Sequence, residues 1–190
     1  MKKVMFLLLA LYGLDSYAQQ TTTVTTTTTT TQTTPWVTDR KHEVKMGAVK
    51  LLAGAIFEGT YEYVQNKDFT FGASVLYNFD RDNEYPEDFS ITPFARFYFQ
   101  ETKEYGAKGF FVEGFGKYVH GREIWYSDFI EEDLEEEYDA GALGLSLGKK
   151  WINSTGFVFE ILVGAGRTLG GGDVAPEAFF RGDLFIGYRF

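Results

Sequence analysis

The sequence contains no cysteine, only two histidines and, after its first residues, no long apolar run. Without cysteine, neither a disulfide framework nor a thiolate metal site can form, and a lipoprotein anchor is excluded. Without a long apolar run no transmembrane helix is predicted, because a helical span needs about 20 apolar residues. If the mature chain lies in a membrane, it must cross that membrane as strands.

Positive charge is also scarce, since the formal net charge at pH 7 is −9. Phosphate binding needs a basic surface, so a nucleic-acid partner is not expected. Much of the excess negative charge lies in one run, which comprises Glu131, Glu132, Asp133, Glu135, Glu136, Glu137 and Asp139. We interpret this run as part of a solvated loop. Its carboxylates could bind divalent cations, but the segment lacks the spacing of a dedicated calcium loop, so no metal or other cofactor is predicted.

The chain begins with the features of a secretory signal peptide. Lys2 and Lys3 precede an apolar run from Val4 to Leu14, and small residues follow at Ser16 and Ala18. The prediction is a signal peptide over residues 1–18. Residues 19–42 are dominated by threonine and contain few large apolar side chains, which predicts a disordered linker. The folded domain is then predicted over residues 43–190.

Aromatic residues make up 18% of the chain and glycine occurs 21 times, a composition that favours an all-β fold over a helical bundle. The C-terminal segment alternates apolar and charged residues from Phe180 to Phe190, with Arg181, Asp183 and Arg189 on one face. A period of two is typical of a strand whose faces meet different surroundings. Eight such segments are predicted, at residues 44–53, 56–64, 69–79, 89–100, 109–119, 138–149, 157–167 and 178–190.

The connections between these segments differ in length. Most of the even-numbered connections are tight turns, whereas the odd ones after the first are longer loops, at Asp80–Asp88, His120–Glu137 and Leu169–Glu177. This asymmetry is typical of outer-membrane barrels, which have short periplasmic turns and long outer loops. Because open sheet edges are not tolerated in lipid, the prediction is a closed, eight-stranded, antiparallel up-and-down barrel. Pro93 interrupts the fourth strand and predicts a bulge there.

Aromatic residues also recur at the strand ends that this topology assigns to the periplasm. They are Tyr63, Phe69, Phe99, Phe110, Trp151, Phe157 and Phe190. Such a ring is typical of the interfacial aromatic girdle of a membrane barrel.

The inward face of the predicted strands collects charged residues of both signs. They are Lys50, Glu58, Glu62, Arg96, Glu113, Lys117, Lys150, Glu160, Arg181, Asp183 and Arg189. Because an unpaired buried charge is costly, near-equal numbers predict a paired network that fills a narrow barrel. The alternative is a gated ion or proton path, in which Glu113, Lys117 and Glu160 would take part.

Catalysis finds little support in the sequence. His120 is followed by Ser127 and Asp128, the residue types of a catalytic triad, but no spacing makes this pattern specific. The other histidine, His42, lies in the linker region. No catalytic residue is therefore predicted.

Four segments together resemble a known family. They are GFFVEGFGKY at Gly109–Tyr118, GKKWINSTGFVFEI at Gly148–Ile161, GAGRTL at Gly164–Leu169 and the terminal IGYRF. They look like the small outer-membrane β-barrel proteins of Gram-negative bacteria, which are similar in architecture to OmpX and the membrane domain of OmpA. The resemblance covers about residues 45–190. It implies that the barrel assembly machinery reads the C-terminal strand, with Tyr188 and Phe190 as the signal, and it transfers no catalytic residue.

Three functions remain open at this point. The first is a monomeric, non-enzymatic outer-membrane barrel with a structural or surface-interaction role through its outside loops. The second is a narrow channel for ions or small solutes. The third is a soluble, lipocalin-like binding protein, which the number of inward charges disfavours because such a protein would need an apolar pocket.

Overall fold

A computed structural model describes residues 40–80, 83, 85–99, 106–127, 132–172 and 175–190 of the chain. The predicted signal peptide and the predicted linker up to residue 39 lie outside the described residues. Among the residues that are described, no helix is long and apolar enough to cross a membrane.

Eight strands form a closed barrel in which each strand pairs antiparallel with the next and β1 pairs with β8. The elements are β1 His42–Gly47, α1 Ala48–Gly54, β2 Ile56–Val64, β3 Phe69–Asn78, β4 Glu87–Phe99, β5 Gly109–Ser127, β6 Glu132–Ile152, β7 Phe157–Leu169 and β8 Ala178–Arg189. The prediction of an all-β, eight-stranded, up-and-down antiparallel barrel is confirmed.

Burial alternates along the strands as their sequence pattern requires. In β3, the side chains of Phe71, Val75 and Tyr77 are exposed, whereas those of Ser74 and Leu76 are buried. Because successive side chains of a strand point to opposite faces, one face of each strand lines the interior and the other forms the outer surface. The outer surface of the barrel is therefore largely apolar and aromatic.

The first predicted strand is only partly correct. β1 ends at Gly47, and residues 48–54 form a short helix instead of continuing as strand. The buried face of β1 holds Glu43, Lys45 and Gly47 while Val44 is exposed, which is the opposite alternation from the one that placed Lys50 on the inner face. Lys50, predicted on the inner face of a strand, lies on α1.

The predicted loop at His120–Glu137 is wrong for most of its length. β5 and β6 pair without interruption from Gly109 and Lys150 to Ser127 and Glu132. The acidic run therefore lies mainly in β6, and the strands extend beyond the partners of β5 and β6 in the rest of the sheet. The aromatic and β-branched residues Ile124, Trp125 and Tyr126 are the local signal for this extension.

The predicted bulge at Pro93 is also wrong. The register between β4 and β5 is the same on both sides of Pro93, from Ile91 opposite Tyr118 to Phe94 opposite Phe115. Pro93 is exposed, and its missing N–H removes a ladder donor without shifting the strands. The register shift lies instead between Glu87 and Phe89.

The up-and-down topology gives the barrel two different ends. We call the end with Phe190 and the turns between β2 and β3, β4 and β5, and β6 and β7 the proximal end. The opposite end, with α1 and the connections between β3 and β4, β5 and β6, and β7 and β8, is the distal end. The paired β5–β6 hairpin extends from the distal end.

Candidate functional site: the charged interior

The barrel interior holds charged side chains in equal numbers of each sign among the described residues. The acidic ones are Glu43, Glu58, Glu62, Glu87, Asp88, Glu113, Glu160 and Asp183, and the basic ones are Lys45, Lys50, Arg96, Lys117, Arg122, Lys150, Arg181 and Arg189. All are buried except Lys50, whose side chain is 13% exposed. The interior is thus balanced, and the net charge of −9 belongs to the rest of the chain.

Most of these groups form one continuous chain of ion pairs along the barrel. Starting at the proximal end, Arg189 Nε donates to Glu43 at 2.6 Å, and Lys150 Nζ donates to Glu43 at 2.8 Å and to Glu62 at 2.7 Å. Arg96 Nη1 then donates to Glu62 at 2.6 Å, and Arg96 Nε donates to Glu113 at 2.7 Å.

The chain continues from Glu113 to the distal end. Arg181 donates from Nε to Glu113 at 2.7 Å, from Nη1 to Glu58 at 3.0 Å and from Nη2 to Ser74 at 3.1 Å. Glu58 in turn pairs with Lys50 of α1. The network therefore joins the last residue of β8 to the distal helix.

Arg96 lies at the centre of the network. Besides Glu62 and Glu113, it donates from Nη1 to Glu160 at 2.9 Å, and Lys45 bridges Glu62 and Glu160 at 2.5 and 2.7 Å. The guanidinium also lies over the rings of Phe94 and Phe111, at 4.3 and 4.6 Å from their centroids. A planar cation with several donors can satisfy carboxylates at its edge and aromatic rings on its faces.

Three further acidic groups lie nearer the distal end. Glu87 pairs with Lys117, and Asp88 lies 3.7 Å from Nη2 of Arg122. Asp183 accepts hydrogen bonds from the backbone N–H groups of Val49 at 2.8 Å and Lys50 at 3.4 Å. Asp183 therefore binds the first turn of α1.

The charged residues that were predicted from the sequence to face the interior can now be located. Nine of them lie in the continuous network, namely Lys50, Glu58, Glu62, Arg96, Glu113, Lys150, Glu160, Arg181 and Arg189. Lys117 and Asp183 lie in the interior beside it, with the partners given above.

Sequence reasoning missed five interior charges. Glu43 precedes the predicted first strand, and Lys45 falls on the face opposite to Lys50 because that strand was extended through residues that form α1, although the alternation of HEVKMG carries the signal. Glu87 and Asp88 are both buried at the register shift of β4, where strict alternation fails. Arg122 lies in a segment that was predicted to be a loop.

Apolar side chains flank the network. One cluster contains Val64, Tyr98, Ala107, Phe111, Leu162 and Phe185, and a second contains Val119, Tyr138, Ala140, Ala142 and Phe179. At the proximal end, Arg189 also donates to the carbonyl oxygens of Gly106 at 2.6 Å and Ala107 at 3.0 Å, which links β8 to the connection between β4 and β5. The ion-pair network thus lies among apolar clusters of the interior.

The outer face carries the predicted aromatic ring at the proximal end. Phe69, Phe99, Phe110, Trp151, Phe157 and Phe190 are exposed, and Tyr63 is half-buried. Lys149 lies on the same face, with Nζ at 4.7 Å from the ring centroid of Phe110 and 4.9 Å from that of Trp151. Between this ring and the distal rim, β6 exposes Leu143, Leu145 and Leu147.

At the distal rim, His120 contacts Asp139 instead of a nucleophile. The ring nitrogen Nδ1 of His120 lies 3.2 Å from Asp139 Oδ1, and Tyr118 donates to the same oxygen at 2.7 Å. These hydrogen bonds, the one from Tyr118 first, hold the pKa of Asp139 below its usual value. Asp128 and the side chain of Ser127 lie outside the described residues. In the described part of the chain, no group of His, Asp or Glu is arranged to hold a metal ion.

A cavity of about 780 Å³ lies at the distal rim between β7 and β8, away from the charge network. Its lining includes Gly166, Arg167, Thr168, Gly170 and Glu177. The lining consists of glycine and alanine residues together with the polar side chains of Arg167, Thr168 and Glu177. It does not resemble the enclosed apolar pocket that a lipocalin-like binder would need.

Comparison with known proteins shows the fold. No protein-family model matches the sequence, and no curated protein sequence matches it significantly. The structure is similar to the N-terminal β-barrel domain of Pseudomonas aeruginosa OprF, with a TM-score of 0.51 and 13% sequence identity over 80% of this chain and 98% of that chain. The chain therefore shares the β-barrel fold of that domain, in agreement with the predicted OmpA-like architecture.

Proposed function

We propose that the protein is a monomeric, non-enzymatic barrel of the outer membrane, with a structurally plugged interior and a structural or surface-interaction role at its distal end. The apolar outer face and the proximal aromatic ring support a membrane location, because a soluble barrel has no need for either feature. The likeness in fold to the N-terminal β-barrel domain of OprF is consistent with this proposal.

The continuous ion-pair chain from Arg189 to Lys50 is the observation that carries the plugged interior. Every link except that of Lys50 joins side chains that are buried, and Arg96, Lys45 and Lys150 each contact three carboxylates. Removing one member would leave its partners as buried, uncompensated charges, so the network favours a closed barrel over an open pore. An eight-stranded barrel is in any case just wide enough for side chains to fill it.

The proximal end is proposed to face the periplasm. This orientation follows if the predicted signal peptide directs export and the barrel assembly machinery reads the C-terminal strand through Tyr188 and Phe190. Both side chains are exposed on the outer face, and Phe190 exchanges two backbone hydrogen bonds with His42, at 2.8 and 3.1 Å. The final strand is thus also the strand that closes the barrel.

The distal end then faces the exterior and presents the β5–β6 hairpin. The hairpin extends beyond the sheet, and Glu136, Glu137 and Asp139 at its base are exposed. A surface partner would meet this acidic ribbon first, and its identity is open.

The test is the gel mobility of the protein from a detergent-solubilised outer-membrane fraction, with unheated and boiled samples side by side. We expect a faster unheated band in that fraction only, since a closed barrel stays compact in detergent. Protease added to intact cells should cut the hairpin, because the proposed orientation places it outside the cell. If the orientation were reversed, the same protease would leave the hairpin intact. Recovery in the soluble periplasm without a mobility shift would contradict the membrane location.

A further inference from the structure

The barrel wall is incomplete as a sheet in its distal half. β1 has only six residues, and it pairs with β8 only from Glu43 to Gly47 and with β2 only from His42 to Met46. Residues 56–58 of β2 and 178–184 of β8 have no strand partner on the side where β1 ends. Helix α1 packs against both β2 and β8 at this position, so a helix takes the place of the missing strand.

Apolar packing contributes little to holding this helix. None of its side chains is buried, and Leu52 and Val49 are 87% and 48% exposed on the outer surface. In the neighbouring strand β2, by contrast, every second side chain is buried. Segments with few buried contacts open at a lower free-energy cost than the elements around them.

Polar contacts hold the helix at its first turn. The carboxylate of Asp183 accepts from the N–H groups of Val49 and Lys50 and also from that of Leu184 at 2.7 Å. Gly47 makes room for this contact, since a Cβ at residue 47 would overlap Oδ2 of Asp183. Gly47 has φ −73° and ψ 123°, which any residue adopts, so glycine is needed there for space and not for conformation.

Two further polar contacts complete the attachment. Lys50 pairs with Glu58, and Nδ2 of Asn83 donates to the carbonyl oxygen of Gly54 at 2.9 Å. The helix ends at Ala55, whose φ of 53° places it in the left-handed region. The segment is thus fixed by side chains of β8, β2 and the β3–β4 connection.

We propose that α1 is a lateral gate in the barrel wall, held shut by Asp183, that opens the distal interior toward the outer leaflet of the membrane. The inference rests on the membrane location proposed above. Unpaired backbone groups are not tolerated in hydrocarbon unless protein or water covers them, so β2 and β8 can stay unpaired here only while α1 or water occupies the gap. Opening exposes Glu58 and Arg181, where the ion-pair network reaches the wall.

Hydrogen exchange of the folded protein in detergent tests whether α1 opens more readily than the strands beside it. The amides of residues 49–55 should exchange roughly tenfold faster than those of residues 43–46 in β1, and both Asp183→Ala and Gly47→Ala should accelerate them further without changing those of residues 43–46. Gly116→Ala is the matched control, because its added Cβ lies 3.6 Å from Leu143, an ordinary contact. Protection of α1 equal to that of β1, or no response to Gly47→Ala, would overturn the gate even if Asp183→Ala failed to fold.

Cysteine labelling tests the direction of opening. Leu76 is buried opposite Glu58 in the register of β2 and β3, and Leu76→Cys introduces the sole thiol of the chain. In bilayers, a maleimide on a long acyl chain should label this thiol roughly fivefold faster in the Gly47→Ala background than in the Gly116→Ala background. Acceleration of a charged, water-soluble maleimide alone would mean axial opening and would overturn the lateral gate. Absence of a heat-dependent gel shift would instead reject the membrane location. The labelling ratio tests only the gate, so the failure of one proposal can be told from the failure of the other.

Discussion

Charged residues occupy two regions of the molecule, the barrel interior and the β5–β6 hairpin, and they are organised differently in each. Among the described residues of the interior, eight acidic and eight basic side chains are brought together, and all the acidic ones except Asp183 lie in ion pairs with basic ones. At the base of the hairpin, Glu136, Glu137 and Asp139 are exposed to solvent. The same chemical groups therefore act as structural cross-links in one region and as a solvated surface in the other, so substitutions should have opposite consequences for stability.

The largest effect is expected at the centre of the network. Arg96→Met should destabilise the barrel by about 3 to 5 kcal/mol, because Glu62, Glu113 and Glu160 lose a shared partner while they stay buried. Urea unfolding in detergent measures this change. Lys149→Met, on the outer face of the same barrel, is the matched control and should cost about 1 kcal/mol or less. Equal effects of the two substitutions would contradict the distinction between the paired interior and the outer surface.

An isolated interior pair should behave differently from the centre. Lys117→Met leaves Glu87 buried without its ion-pair partner and should cost about 3 kcal/mol. The double variant Lys117→Met with Glu87→Met should return to within about 1 kcal/mol of the wild type, since replacing a whole buried pair by apolar side chains is nearly neutral. A thermodynamic cycle over the four proteins measures the coupling. Additive losses would show that the two side chains are not coupled.

Substitutions in the hairpin should have small effects of the opposite sign. Glu136 lies opposite Glu123 in the backbone register of β5 and β6. Like charges at opposite positions of a ladder are unfavourable by a few tenths of a kcal/mol. Glu136→Lys should therefore slow hydrogen exchange of the hairpin amides slightly and leave the unfolding midpoint of the barrel unchanged. A loss of barrel stability would mean that the hairpin is coupled to the interior.

The smallest effect concerns the titration of Asp139 at the distal rim. The hydrogen bonds from Tyr118 and His120 lower the pKa of this carboxyl group, so the contact is present above the usual Asp pKa and is lost as the pH falls through the lowered one. Tyr118→Phe should raise the pKa toward its usual value without changing global stability. Carbon-13 NMR titration of the carboxyl group reads this directly, and an unchanged pKa in the variant would exclude the contact.

The sequence predicts the strands well because burial alternates wherever a strand runs without interruption. The faces of β3, β4, β7 and β8 follow from a period of two, and the C-terminal segment shows it most clearly. The pattern fails where the chain changes from strand to helix after Gly47. AVKLLAG is apolar except for Lys50 and fits either a strand or a helix, so Lys50 was placed on the wrong kind of element and Lys45 on the wrong face.

The partners inside the barrel could not be predicted in the same way. Arg189 and Glu43 are 146 residues apart, and Lys150 and Glu43 are 107 apart. Such pairs depend on closure of the barrel and on the register of several strands at once, whereas the period of a strand is local. The sequence therefore indicates that the inner charges exist and nearly balance, but the pairing follows only from the closed sheet.

Single-channel recording of the purified protein in planar bilayers tests the plugged interior most directly. The paired network predicts no stepwise conductance above that of protein-free bilayers, for the wild type and for Glu136→Lys alike. Stable, voltage-dependent conductance steps from the folded wild-type protein would contradict the account and would favour a narrow ion channel.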